Sequence, residues 1–134
     1  MTNPTFPVTK NTAPKLPTFN MDEIAFGKHF TDHMLEVDYE DGEWKTPEIK
    51  PYQPLLLSPS TAALHYGQAI FEGMKAYKDD QDEVWLFRPD ENHKRLNKSA
   101  VRLAIPEFPE DAFFKGLEAL LSLEKDWIQK KEGS

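Results

Sequence analysis

Cysteine is absent from all 134 residues. That removes disulfide frameworks, thiolate metal sites and cysteine nucleophiles at once. No apolar run approaches the ~20 residues that a membrane-spanning helix needs. A basic excess is missing as well. Sixteen Lys and Arg stand against 23 Asp and Glu, for a formal net charge of −7. The chain therefore lacks the basic footprint of a nucleic-acid binder and the charge that draws a protein to anionic lipid, although an acidic chain can still hide a local basic pocket. Met1 to Asn20 contains neither a hydrophobic signal core nor an arginine, so no secretory or mitochondrial address shows and a cytoplasmic location is expected. No P-loop, GxGxxG, HExxH or GxSxG is present. His29, His33, His65 and His93 lack metal-ligand spacing with a matching carboxylate, and no metal site is expected.

What is present suffices for one soluble domain with its own core. Apolar residues make up 39%, charged residues 29% and aromatics 12%, a composition that packs rather than stays disordered. Residues 1–20 read as an extended arm, because Pro4, Pro7, Pro14 and Pro17 forbid a long helix or a central strand. The arm is either a loose tail or a strap that wraps a partner, with Phe6, Leu16 and Phe19 as apolar handles. Thr31 to Tyr39 alternates enough for a half-buried strand. Asp41-Gly42 is a hairpin dipeptide. Trp44 to Lys50 reads as the returning strand, placed at an edge by Pro47.

Pro51 to Ser60 reads as a connector around Leu55-Leu56-Leu57. Leu64 to Phe71 is compatible with a short helix or a strand. Met74 to Lys78 and Val84 to Arg88 read as strands around the polar turn 79–82. A helix opens at Pro89-Asp90, with Asp90 as its N-cap and Leu96, Ala100, Leu103 and Ala104 as its apolar stripe; Pro106 and Pro109 end it. A second helix begins near Pro109-Glu110-Asp111. Its faces are marked by Phe113, Leu117, Leu120, Leu121, Glu124, Trp127 and Ile128, all apolar but Glu124. Strands followed by helices imply an α+β fold, a mostly antiparallel sheet with two C-terminal helices packed on it.

Two sets of residues stand out chemically. Arg95 lies beside Lys94 on the first helix. Read alone, the pair is an ordinary solvated face, yet the planar fork of an arginine suits a phosphate. Phe26, Tyr66 and Phe71 read first as core aromatics. Gly67 and Gly73 flank Phe71 and suggest unusual φ or close backbone approach.

The run Ala63-Leu64-His65-Tyr66-Gly67, followed by Phe71-Glu72-Gly73-Met74-Lys75-Ala76-Tyr77, resembles the branched-chain amino acid aminotransferases. Phe26-Gly27 through Phe30-Thr31-Asp32-His33-Met34, Leu86-Phe87-Arg88-Pro89 through Arg95-Leu96, and Ser99-Ala100-Val101-Arg102 extend the likeness over most of residues 20–134. The resemblance implies the small domain, here 21–134, of a fold type IV enzyme that uses pyridoxal 5′-phosphate. The full enzyme would move the amino group of Leu, Ile or Val to 2-oxoglutarate by ping-pong chemistry, as a homodimer. By the same resemblance Arg95 grips the cofactor phosphate, and Phe26, Tyr66 and Phe71 line the pocket for the substrate side chain. D-amino acid transaminases and aminodeoxychorismate lyases share the fold; Phe26, Phe71 and the Phe-Thr-Asp-His-Met segment favour the branched-chain group. The family's Schiff-base lysine matches no position here, so the chain is expected to be an inactive fragment that self-associates. The alternative is a non-catalytic, stand-alone domain acting in packing or dimerisation.

Overall fold

The computed structural model describes residues 6–21 and 27–130. The class is α+β, built from short antiparallel strand pairs and helices. The strands are β1 (His33–Glu36), β2 (Tyr39–Glu40), β3 (Glu43–Trp44), β4 (Glu48–Pro51), β5 (Ala76–Lys78) and β6 (Val84–Leu86). The helices are α1 (Ala62–Tyr66), α2 (Pro89–Arg102) and α3 (Glu110–Glu124), with single 3₁₀ turns at Leu16–Thr18 and Lys125–Trp127. Strands pair as β1–β4, β2–β3 and β5–β6, in three separate two-stranded pieces. Among the described residues no helix is long and apolar enough to cross a membrane.

Asp41 and Gly42 have φ of 55° and 83°, the double positive φ of the tight turn that matches strand twist. The hairpin they close is short, with Tyr39 opposite Trp44. Pro47 then falls in the gap between β3 and β4, where it costs no ladder bond. The return strand lies at the edge of a two-stranded sheet, and its outer side is met at one residue. On one side β4 pairs with β1, Leu35 opposite Ile49. On the other, Ile49 forms a parallel bridge to Val8: its N–H donates to the Pro7 carbonyl at 3.0 Å and its carbonyl accepts from Thr9 N–H at 2.8 Å. Ile49 is fully buried, and the arm supplies one of its walls.

Helix α3 crosses β1 at Gly116. A Cβ there would meet Leu35 Cδ2 at 2.5 Å, so the missing side chain sets how closely helix and strand approach. Helix α2 is capped two residues earlier than the proposed Asp90. Pro89 takes the first helical position, Arg88 is the N-cap, and Asp90 and Glu91 lie in the first turn, where their charge meets the positive helix end. The C-terminus also differs from the expected stripe. Leu103 and Ala104 lie beyond the last helical residue. Ala104 adopts φ 53°, its N–H bonds the Val101 carbonyl, and Ile105 N–H bonds the Ala100 carbonyl at 2.9 Å. This is a Schellman cap with alanine where glycine is favoured. Asn97 then clips the connector to α3: Nδ2 donates to the Phe108 carbonyl at 3.0 Å, and Phe108 N–H donates to Asn97 Oδ1 at 2.7 Å. Rings of Trp44, Phe108, Phe113 and Phe114 follow one another at 5.0, 6.4 and 5.2 Å.

A buried polar cluster ties the two ends together. His33 Nδ1 bonds a Glu124 carboxylate oxygen, and Asp32 N–H donates to the other at 3.2 Å. Asn11 N–H donates to His33 Nε2 at 2.7 Å, so the imidazole accepts there and carries its proton on Nδ1, toward Glu124. The Asp32 carboxylate receives Lys15 N–H at 2.8 Å and Trp127 Nε1–H at 3.1 Å. Asp32, His33 and Glu124 are all buried, and every one of them is bonded, as burial of polar groups demands.

Candidate functional site

The site forms where the loop after α1 meets the second turn of α2. Helix α1 ends at Tyr66 because Gly67 takes the left-handed conformation, φ 63°. The chain then runs without regular structure until β5. Within this stretch Glu72 turns inward, its side chain only 8% exposed, and meets Arg95. Arg95 Nε donates to Glu72 Oε2 at 2.8 Å, and Arg95 Nη2 donates to Oε1. Oε1 also accepts from Asn92 Nδ2 at 2.9 Å and from Gly73 N–H at 3.1 Å. Asn92 and Arg95 are three apart on α2 and so share a face. The Arg95 bonds, with help from Asn92, hold the Glu72 carboxyl well below its ordinary value of 4.5, at about 2, against the opposing effect of burial. The same bonds raise Arg95.

Arg95 itself is two-thirds exposed. Of the five N–H donors in a guanidinium, Glu72 takes two, on the Nε edge. The opposite edge remains for a ligand. Arg95 lines a cleft of about 350 Å³ together with Lys75, Tyr77, Phe87, Arg88, Glu91 and Asn92. Lys75 Nζ lies 5.5 Å from the centre of the Tyr77 ring. Arg88 has only a long contact, 3.8 Å, to Glu91. Its backbone is left-handed at φ 49°, a sparsely populated conformation for a side chain of this size. Lys75, Arg88 and Arg95 on this cleft outnumber the two carboxylates Glu91 and Glu72, the latter paired with Arg95, by one charge, a balance that suits an anion. A more open groove of about 520 Å³ follows the outer face of the β5–β6 hairpin over Tyr77, Trp85 and Phe87; it has no arginine. Among the described residues no group of three or more His, Asp or Glu is placed to hold a metal ion.

The four residues singled out from sequence fare differently. Arg95 stands at the cleft. Tyr66 and Phe71 do not line it; they are 86% and 88% exposed and make no ring pair with each other among the described residues. Phe71 is tied to the site through its neighbour Glu72 and leans its ring toward Gly73. Phe26 lies outside the described residues. Sequence reasoning missed Glu72, Asn92, Lys75 and Arg88. Asn92 carried a usable signal, being one turn before Arg95. Glu72 lies 23 residues from Arg95, and no periodicity links them.

No protein-family model matches the chain. It is 50% identical over 112 residues to branched-chain-amino-acid transaminase 1 of Bacillus subtilis, covering 83% of this chain and 32% of that protein. By sequence, the chain belongs to the branched-chain-amino-acid aminotransferase family. The B. subtilis branched-chain-amino-acid aminotransferase 2 is 46% identical over 124 residues, 92% of the chain and 34% of the relative. The branched-chain-amino-acid aminotransferase of Mycolicibacterium smegmatis is 42% identical over 132 residues, 96% of the chain and 36% of the relative. The chain thus spans about a third of the length of the curated relatives it matches. The Arg95–Glu72 pair, the cleft and both exposed aromatics fall in the segment that carries the aminotransferase likeness.

Proposed function

We propose that this chain supplies the small domain of a pyridoxal-phosphate aminotransferase acting on Leu, Ile and Val with 2-oxoglutarate as the amino acceptor. The observation that carries the reading is the anchored Arg95: one edge is fixed by the half-buried Glu72 carboxylate, and the side chain lines a cleft with two further cations. A phosphate dianion fits that edge, because a guanidinium offers parallel donors in a plane. Pyridoxal 5′-phosphate, when bound, supplies a carbonyl that carries the amino group and a conjugated ring that takes up the charge left when a Cα proton is removed. The residues of this chain bind and orient. Arg95 holds the phosphate, and Phe26, Tyr66 and Phe71 offer apolar surface to the branched side chain. Such a surface separates Leu, Ile and Val weakly, since one methylene contributes about 1–3 kcal/mol. The family's catalytic lysine belongs to the two thirds of the enzyme that this chain does not cover.

The test is a comparison of pyridoxal 5′-phosphate with pyridoxal, which lacks the phosphate. The chain is expected to prefer the phosphorylated form, and Arg95→Ala to reduce that preference at least tenfold. A preference unchanged in the variant would remove Arg95 from the phosphate site.

A second part of the reading concerns the faces of α1 and the β5–β6 hairpin. Leu56, Tyr66, Phe71, Phe87 and Trp85 are 60% exposed or more. Apolar area on this scale commonly serves association, and a homodimer, completed by the rest of the enzyme, would cover it. The isolated chain is expected to self-associate. Sedimentation across a hundredfold concentration range checks this, and a constant monomer mass would count against it.

A further inference from the structure

We infer that Glu72 is a positioning residue for Arg95, one that decides which edge of the guanidinium meets an anion. This rests on the reading of Arg95 as a phosphate ligand and adds the element that makes the ligand directional. Arg95 is long, largely exposed and on the solvent side of α2. Left alone it would sample many rotamers, and an anion would have to freeze it. Glu72 removes that freedom in advance. It is 8% exposed and accepts from four donors: Arg95 Nε, Arg95 Nη2, Asn92 Nδ2 and Gly73 N–H. The carboxylate is therefore itself clamped from two sides, by the helix through Asn92 and by its own loop through Gly73. Asn92 also donates to the Gly73 carbonyl at 3.1 Å, which fastens the loop to the helix independently of the charge.

The arrangement has a built-in opposition. A carboxylate beside a cation also repels an incoming anion. Two features favour the orienting effect. The negative charge of Glu72 is spread into four donors. The bonds to Glu72 use Nε and Nη2 of Arg95 rather than Nη1, and Arg95 lines the cleft together with Lys75 and Arg88. Glu72 thus turns a flexible surface cation into a fixed donor pair, in the way supporting groups around a site orient the groups that touch the ligand.

The experiment is a titration of the ¹⁵N-labelled chain with inorganic phosphate, read at the Arg95 Nε–Hε signal and the Asn92 side-chain amide. The variants are Glu72→Ala, Glu72→Gln and Arg95→Ala. In the parent, a saturable shift is expected, together with slow exchange of the Arg95 Nε proton before any phosphate is added. Glu72→Ala is expected to weaken phosphate about tenfold and to speed that exchange, while the α2 amide signals stay in place. Should Glu72→Ala lose its fold, Glu72→Gln carries the comparison, because it keeps the shape and one acceptor oxygen but loses the charge. If either Glu72 variant binds phosphate as tightly as the parent or tighter, Glu72 competes with the ligand and the inference is overturned. If Arg95→Ala binds phosphate like the parent, or the parent shows no saturable shift, the phosphate reading of Arg95 itself fails, and the inference falls with it by a visibly different route.

Discussion

The two halves of this molecule solve the problem of holding charge in opposite ways. In the half made of the arm, β1, β4 and the end of α3, charged and polar groups are buried and fully bonded to one another: Asp32, His33 and Glu124, with Trp127 and the arm's main chain. In the half made of α1, the loop after it, β5–β6 and the start of α2, Glu72 is half-buried, while Lys75, Arg88 and Arg95 face outward beside exposed aromatics. The first arrangement leaves nothing for a ligand. The second leaves half a guanidinium and two further cations. A network that satisfies itself specifies structure, and one left open on a single side specifies a binding direction.

The contrast can be broken most sharply at Glu124. Glu124→Ala strips a buried N–H of Asp32 and a buried ring N–H of His33 of their acceptor, and is expected to cost about 3 kcal/mol of unfolding free energy. Lys94→Ala, which removes exposed ion pairs of 2.8 and 3.4 Å on the other half, should leave stability nearly unchanged. Urea unfolding of both variants measures this, and equal losses would erase the distinction between the halves.

A smaller effect sharpens it through pH. The folded Glu72 carboxyl lies at about 2 against an ordinary 4.5. A depressed carboxyl lends stability that is complete above its unfolded value and is lost as pH falls through the folded one. The Glu72–Arg95 pair should therefore hold its contribution down to about pH 4.5 and lose it between there and about pH 2. Subtracting the stability–pH curve of Glu72→Gln from that of the parent isolates this window. A difference confined to neutral pH would contradict it.

The smallest effect lies at the end of α2. Ala104 takes the left-handed position of the cap, where glycine carries no Cβ penalty. Ala104→Gly is expected to stabilise the chain by at most about 1 kcal/mol, since the larger strain relief is offset by the freer unfolded chain. A rise in thermal midpoint checks the sign.

Local chemistry was readable from the sequence, and distant pairing was not. Asp41-Gly42 announced its hairpin because both positive φ values are a property of those two residues. The prolines at 106 and 109 announced the break between helices for the same reason. Pro47 marked the edge position of the strand after it, whereas the arm's single bridge to Ile49 has no periodic trace. Glu124 did leave a trace: a lone carboxylate within an apolar stripe is what a buried, partnered acid looks like from one side. Its partner, 91 residues away, could not be named. At the candidate site Arg95 was found through family likeness, whereas the Glu72 that orients it was hidden inside the very motif that carried that likeness. Tyr66 and Phe71, which read first as core aromatics, are exposed, and neither has a place in this chain's own core.

The cluster that joins Asn11 and Lys15 to Asp32, His33, Glu124 and Trp127 also imposes an order in time on the chain as it is made. Val8 can meet Ile49 once some fifty residues exist. Asn11 and Lys15 can bond to Asp32 and His33 then too, but those two side chains stay without Glu124 and the Trp127 indole until α3 is complete. At about 5–20 residues per second, synthesis of that intervening stretch occupies roughly 4–15 s. For that interval an acceptor-less histidine sits beside unsealed β1, and the nascent chain has its strap in place with no buckle.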